Sequence, residues 1–258
     1  MIRIGKTFCA LLQRDIVIFW SDWKNEVING LAWGILTVAV FEYIMPAMGS
    51  EPMGQFISCG VIVCLGFFQI TENATKFVAD LEGEHSISYY LTLPMPQWMI
   101  FSRFAIINAL KAMFVSLWFL PIFKFVLGDA FSFSHFSYGK FIIIFLLIHL
   151  FYGFFSLYLA AKMKSLDEMG NLWWRIIFPL RWIGCFQFKW KALQLVSPQI
   201  AFLDLFNPIV YCMEGIRVSI MGQEGFINFW FCCGALIVFT VIAGVVGIEK
   251  LKIRLDCL

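Results

Sequence analysis

The sequence predicts an all-α integral membrane protein with about six transmembrane helices, an N-terminal amphipathic interfacial helix and an outer re-entrant segment between helices 5 and 6. Three observations predict it. Of 258 residues, 61% are apolar and 14% are charged, too little polar surface to coat a soluble globule of this size. Apolar runs of about 20 residues, the length a helix needs to cross a hydrocarbon core of roughly 30 Å, recur along the chain. The thirty Phe and ten Trp suit lipid tails and the headgroup interfaces.

The first element is the stretch 6–25, where Phe8, Leu12, Ile16, Phe19 and Trp23 fall on one helical stripe and Lys6, Arg14, Ser21, Lys24 and Asn25 gather opposite. Such a helix lies in the membrane surface; the alternative is an ordinary helix packed on the bundle. Spans follow at about 27–48, 53–71, 104–127, 141–161, 171–188 and 225–248, and one membrane domain accounts for residues 1–258. The last window carries no charge up to Ile248, and 141–161 is interrupted only by His149. The fifth holds Arg175, Pro179 and Arg181, and a proline inside a membrane helix frees a carbonyl that neighbours must satisfy, so a kinked or partly unwound helix is expected there.

Two segments between spans carry information. The loop from Glu72 to Trp98 contains Asp80, Glu82, Glu84 and His85, then Pro94 and Pro96, and reads as a short acidic surface helix stopped before the third span. The stretch from Lys189 to Gly225 is too apolar for a plain loop and, with Pro198 and Asp204, too broken for a span. A dip into the outer leaflet, packed against protein, fits it.

Lys and Arg near helix ends are retained on the cytoplasmic side. With the amino terminus inside, that side holds Arg3, Lys6, Arg14, Lys24, Lys76, Arg103, Lys162, Lys164, Lys250, Lys252 and Arg254, against Lys124, Lys140, Arg181, Lys189, Lys191 and Arg217 outside. Both termini are therefore expected in the cytoplasm. The net charge of +2, without a basic run, argues against nucleic acid as a partner. Cys59, Cys64, Cys185, Cys212, Cys232 and Cys233 lie in or beside apolar stretches without zinc-ligand spacing and read as small buried hydrophobes.

Chemistry is hard to place on this chain. Gly5-Lys6-Thr7 imitates the end of a phosphate-binding loop but lacks its upstream glycine and strand. There is no Gly-x-Ser-x-Gly elbow and no His-Glu-x-x-His helix, so no catalytic residue, metal ligand or enzymatic activity is assigned. Ionisable groups within spans are functional candidates by default, which singles out Glu42, Lys111, His149 and Arg175. For His149, an interior hydrogen-bonded histidine is the competing reading.

The order of segments resembles the ABC-2 type transporter permeases. The resemblance covers nearly the full length. It rests on the amphipathic helix with Leu12-Gln13-Arg14-Asp15, on Asp80-Leu81-Glu82-Gly83-Glu84 followed by Leu91-Thr92-Leu93-Pro94-Met95-Pro96-Gln97-Trp98, on Pro179 with Gly184, and on Phe206-Asn207-Pro208-Ile209-Val210-Tyr211 followed by Glu214-Gly215-Ile216-Arg217 and Gly222. The chain departs from the family in its acidic turn, which often holds a basic residue there, and in the Lys- and aromatic-rich stretch between Pro179 and Asn207.

The resemblance implies the membrane subunit of an ATP-driven ABC exporter in a bacterial inner membrane, moving a drug, lipid or glycoconjugate out of the cytoplasm or inner leaflet. ATP and Mg would be bound by a separate ATPase dimer, with no cofactor on this chain, and a second permease copy would complete the assembly within the membrane lipids. It implies that Asp80, Glu82, Gly83, Glu84, His85, Tyr89 and Tyr90 form the ATPase-coupling helix. It also implies that Pro179, Gly184, Asn207, Pro208, Tyr211 and Arg217 shape the re-entrant gate. The rival is a secondary carrier or channel not coupled to ATP.

Overall fold

The computed structural model describes residues 2–256, and all regular structure among them is helical. Met1, Cys257 and Leu258, part of the expected single domain, lie outside the described residues, as does the side chain of Arg3.

Helix α1, Ile2–Ala39, runs without interruption through both the amphipathic stretch and the first span. The expected interfacial helix 6–25 is therefore not a separate element. Its apolar stripe does what the alternative reading required: Phe19 is buried with Val27 and Val115, and its ring meets Phe114 edge-on at 5.6 Å. Lys6, Arg14, Ser21, Lys24 and Asn25 stay exposed.

After Ala39 the helix widens into a π-turn, Val40–Ile44, before the short α2, Met45–Ala47, which contains Pro46. Proline has no N–H to donate to the preceding turn. The Phe41 carbonyl instead accepts from Met53 N–H at 3.3 Å, and the Glu42 carboxylate accepts from Gly54 N–H at 2.7 Å. Glu42 is thus the cap that starts α3, Gly54–Glu82.

Helix α3 is the core of the bundle, with residues 56–67 buried almost without exception. It continues past the expected end at 71, where its first charges pair one turn apart on the same helix, Lys76 Nζ meeting Glu72 at 2.5 Å. A turn leads to α4, Ser86–Leu91. Helix α5, Gln97–Leu117, passes through Trp118 into α6, Phe119–Leu127. Helix α7, Tyr138–Lys162, packs on α5 where side chains are smallest: a methyl at Gly153 would strike the Ala105 carbonyl and meet Ala109 Cβ. One turn along, Asn108 donates to Ser156 at 3.1 Å.

The expected fifth span, 171–188, is replaced by a broken rod: α8, Met169–Leu172, a second π-turn, Trp173–Ile177, and α9, Phe178–Ile183. Pro179 follows this π-turn as Pro46 follows the first. At about 1.5 Å per residue the rod is some 22 Å long, short of a roughly 30 Å core. Beyond it lie α10, Trp190–Val196, α11, Pro198–Asp204, α12, Pro208–Met221, and α13, Phe229–Asp256. Among the described residues five stretches are long and apolar enough to cross a membrane: Trp23–Ala47, Gly54–Glu82, Gln97–Ala130, Tyr138–Lys162 and Phe229–Leu255.

Helices α7 and α13 run parallel. Lys140 Nζ lies 5.6 Å from the Phe229 ring at one end, and Arg254 donates to the Ala160 and Met163 carbonyls at 3.1 and 2.6 Å at the other. The chain between them must therefore return across the bundle, and the broken rod and α12 share that task. The start of α1 is tied through Arg14 to Tyr90 and the end of α13 through Arg254 to Met163. Both described ends of the chain lie at one end of the bundle, here the terminal end.

Gly153→Ala is expected to wedge α5 from α7 and destabilise the bundle by about 1–3 kcal/mol, the usual cost of overpacking. Thermal unfolding in detergent measures it, and Gly139→Ala, where a methyl meets nothing within 4 Å, is the neutral control.

Candidate functional site

At the terminal end, α3 stops because Gly83 turns the chain and His85 adopts φ 53°, a left-handed conformation uncommon outside glycine. His85 N–H donates to the Asp80 carbonyl at 2.8 Å. The Asp80 carboxylate then accepts from Ser86 N–H at 3.1 Å and Ile87 N–H at 2.9 Å, capping α4 and setting negative charge against its positive dipole end. The expected single helix from Asp80 to Tyr90 is thus two pieces: Asp80 and Glu82 end α3, Gly83, Glu84 and His85 form the turn, and α4 starts at Ser86. Glu82 Oε1 accepts from Leu166 N–H at 3.2 Å, joining this turn to the loop before α8.

Helix α4 is held from the other side by Tyr90, whose ring lies between the Arg14 and Arg103 guanidinium groups at 5.0 and 4.5 Å. Asp15 joins the two cations, at 2.7 Å from Arg14 and 3.3 Å from Arg103. Arg103 is fully buried, so this cluster fixes the first half of α1, α4 and the start of α5 as one unit. Glu84, His85 and Tyr89 are exposed on its outer face.

The opposite end is built around α12. From Asp204, beside Cys185 Sγ at 3.6 Å, the chain steps inward to Asn207, whose Nδ2 donates to the Leu180 carbonyl at 2.8 Å. Asn207 Oδ1 caps α12 at Ile209 N–H, 3.0 Å away, Pro208 occupies its first turn, and Tyr211 Oη donates to the Leu205 carbonyl at 2.7 Å. The helix then climbs until the Ser219 carbonyl accepts from Ser137 N–H at 2.8 Å. Burial pushes the Asp204 carboxyl up to about 6, against the lowering effect of Asn207 and Cys185.

Two charges one turn apart on α12, Glu214 and Arg217, are both fully buried. Arg217 donates to the carbonyls of Cys185 at 2.6 Å, Phe186 at 2.7 Å and Phe188 at 3.4 Å, with its guanidinium 3.6 Å from the centre of the Phe56 ring. Glu214 accepts from Trp190 N–H at 3.0 Å and Ile227 N–H at 2.9 Å. Together they staple the chain on both flanks of α12. Gly184 ends α9 with Ile209 where its side chain would be.

Between α1, α3 and α8 lies a half-open cavity of about 760 Å³. Asn25, Glu26, Gln69, Glu72, Thr75 and Lys76 line its terminal end, and Trp33, Phe68 and Trp173 its inner end. Arg181 closes that inner end, its guanidinium 5.4 Å from the Trp33 ring, 5.5 Å from Phe68 and 4.4 Å from Phe186.

Of the four intramembrane candidates, Lys111 faces a smaller cavity of about 250 Å³ shared with Asp15, Asn73, Lys76 and Asn108, and Glu42 lines another of about 490 Å³ with Lys189 and Met221. Glu42 is a helix cap. His149 is an interior histidine, its Nδ1 2.7 Å from the Phe145 carbonyl, and Arg175 is exposed on the second π-turn. The structure does not bring these four together. Sequence reasoning missed the Asp15–Arg103 pair, Glu214 as a staple and the cavity residues Glu26, Gln69 and Lys76; Glu214 and Arg217 at i and i+3 in an apolar stretch was the available signal. The six cysteines read as hydrophobes are buried and free.

A helical bundle with five spans, a broken rod and an inward-dipping helix before the last span defines a multi-pass membrane protein of the transport class. The family model for the ABC-2 type transporter matches residues 6–221, from α1 to the end of α12, and the chain belongs to that family. It is a membrane subunit of the ABC transporter type and not itself the catalytic component. No curated protein and no solved structure matches the chain.

Arg217→Ala is expected to destabilise the protein by about 3–5 kcal/mol, since three carbonyls lose their donor and Glu214 loses its nearby cation. Glu214→Gln should cost about 1–3 kcal/mol, because a single oxygen cannot accept both N–H groups with the carboxylate's geometry. Denaturation in mild detergent, monitored by tryptophan fluorescence, ranks the two.

Proposed function

We propose that this chain is the permease subunit of an ATP-driven exporter, moving an amphipathic cargo from the cytoplasm or inner leaflet outward. The terminal end of the bundle faces the cytoplasm, as its share of Lys and Arg favours, in a bacterial inner membrane. A dimeric ATPase binds ATP and Mg and docks on the turn between α3 and α4, and a second permease copy completes the pathway.

The observation that carries this reading is the construction of that turn. Glu84, His85 and Tyr89 are exposed, while the residues behind them are anchored in three directions: Asp80 to α4, Tyr90 to α1 and α5, and Glu82 to Leu166. A force applied to the exposed face is therefore passed to α1, α3, α5 and the broken rod at once. The rod carries one wall of the larger cavity, through Met169 and Trp173, so movement at the turn changes access to that cavity. Asp80, Glu82, Gly83 and Tyr90 hold the dock in shape, and Glu84, His85 and Tyr89 form its contact face. At the far end Pro179, Gly184, Asn207, Pro208, Tyr211 and Arg217 shape the dip that closes the pathway outward.

The test is co-purification with a Walker-type ATPase co-expressed from the neighbouring reading frame. Glu84→Lys combined with Tyr89→Ala is expected to lower the recovered ATPase at least tenfold without moving the unfolding temperature. Full recovery of the ATPase with that double variant rejects docking at this turn.

A further inference from the structure

The larger cavity has a direction. Along α1 the residues facing it pass from Asn25 and Glu26 to Trp33, and along α3 from Lys76 and Glu72 to Phe68. On α1 seven or eight residues separate Asn25 and Glu26 from Trp33, about 11–12 Å, and on α3 Glu72 and Lys76 lie four and eight residues from Phe68, about 6 and 12 Å at 1.5 Å per residue. The polar end lies toward the terminal end of the bundle. A ligand seated there has its polar group at that end and its apolar body toward the bundle's middle, the arrangement of an amphiphile in the leaflet on that side.

The inventory at the polar end states what the polar group must be. Two carboxylates, Glu26 and Glu72, face one ammonium: Lys76 Nζ lies 2.5 Å from Glu72 and 4.0 Å from Glu26. Gln69 Nε2 donates to Glu26 at 2.9 Å, which leaves Gln69 Oε1 buried without a hydrogen-bond partner among the described residues. Within the cavity's own lining the carboxylates outnumber the ammonium, while Lys111 approaches Glu26 and Glu72 from the smaller cavity, and Gln69 Oε1 is an acceptor with nothing to accept. A buried acceptor left unpaired is costly and calls for a donor.

The aromatic end excludes the opposite arrangement. Trp33 and Phe68 meet edge-on at 5.1 Å and Phe68 and Trp173 lie 5.8 Å apart, giving an apolar wall for a ring or chain. Behind that wall stands the Arg181 guanidinium, which repels a second cation. The cavity volume falls within the range of small-molecule sites.

We propose that this cavity is the cargo-loading site and that it takes a single-headed amphiphile bearing a protonated amine. The ammonium sits between Glu26 and Glu72 and donates to Gln69 Oε1, and the apolar body lies on Trp33, Phe68 and Trp173. Anionic amphiphiles are rejected by the two carboxylates. The role as a loading site rests on the exporter reading, whereas binding itself requires neither the ATPase nor a transport cycle.

The chain alone, in nanodiscs of phosphatidylcholine, is titrated with three probes that share one fluorophore: dansylcadaverine with a primary ammonium, neutral dansylamide, and dansylglycine with a carboxylate. Energy transfer from tryptophan, corrected with empty discs, reports binding. Dansylcadaverine is expected to bind at least tenfold more tightly than dansylglycine, with dansylamide between them. Glu26→Gln combined with Glu72→Gln should weaken the cation about tenfold and leave dansylamide unchanged, while Trp33→Ala should weaken both.

Equal affinity for the three probes, or a preference for dansylglycine, overturns the proposal on the wild-type protein alone, so no variant has to fold for it to be tested. An unchanged cation preference in the Glu26 and Glu72 double variant overturns it as well. Tight cation binding by a chain that recovers no ATPase leaves the site standing and removes the exporter reading instead.

Discussion

A helix that breaks inside lipid must find protein partners for every backbone group it releases, because no water is present to take them. Among the described residues the helices break before Pro46, at Trp118 before Pro121, and around Pro179, and much of the architecture follows from how the chain is held at the first and the last. At the first, Met53 N–H takes the Phe41 carbonyl and Glu42 takes Gly54 N–H. Past the break at Pro179, where α9 ends at Ile183, the chain is held by α12: Arg217 gathers three carbonyls from 185–188 and Glu214 gathers one N–H from each flank of α12. Burying two charges is expensive, and five backbone hydrogen bonds, all charge-assisted, offset it. Without that staple the stretch between α9 and α13 would have no satisfied backbone path through the bundle.

What could be read from the residues divides along the same line. The stretches 141–161 and 225–248 emerge as Tyr138–Lys162 and Phe229–Leu255 because nothing but hydrocarbon length sets them. The expected end at 71 falls short of Glu82, since Glu72, Lys76, Asp80 and Glu82 look like loop charges until they are placed on a helix, where Glu72 and Lys76 are neighbours. The interfacial reading of 6–25 identified the apolar face correctly and its destination wrongly: periodicity reports that a face is apolar, and cannot say whether lipid or α5 covers it. The broken rod was legible as a blemished window through Pro179, but its shortness was not, because the compensating length comes from α12 further along the chain.

The turn itself was legible and its pairing was not. Asp80 through Tyr90 showed that a polar turn lies between α3 and α5, yet nothing local distinguishes Asp80, which caps α4, from Glu84, which faces outward. Asp15 and Arg103 are 88 positions apart and meet only because α1 crosses α5 beside α4. The intramembrane candidates show the converse. Ranking Glu42, Lys111, His149 and Arg175 by their presence in apolar windows ignores what local structure can pair: Glu42 serves as a cap, and an i−4 carbonyl pairs one of the two ring nitrogens of His149.

The broken rod also explains why the larger cavity sits where it does. Two of its walls, α1 and α3, are continuous helices whose backbone groups are satisfied within themselves, so moving them costs packed side chains along their whole lengths. The third wall is Met169 and Trp173, at the head of a short rod with a π-turn in its middle. A π-turn is a weak point of a helix and recurs at functional positions. The rod is held at one end by the Glu82–Leu166 hydrogen bond and at the other by the Arg181 aromatic cage and Asn207. A held far end and a weak middle let the wall follow a displacement of the turn through Glu82, which places any change in cavity shape at Trp173. The rod whose exit Arg217 and Glu214 hold therefore also gives the cavity its yielding side.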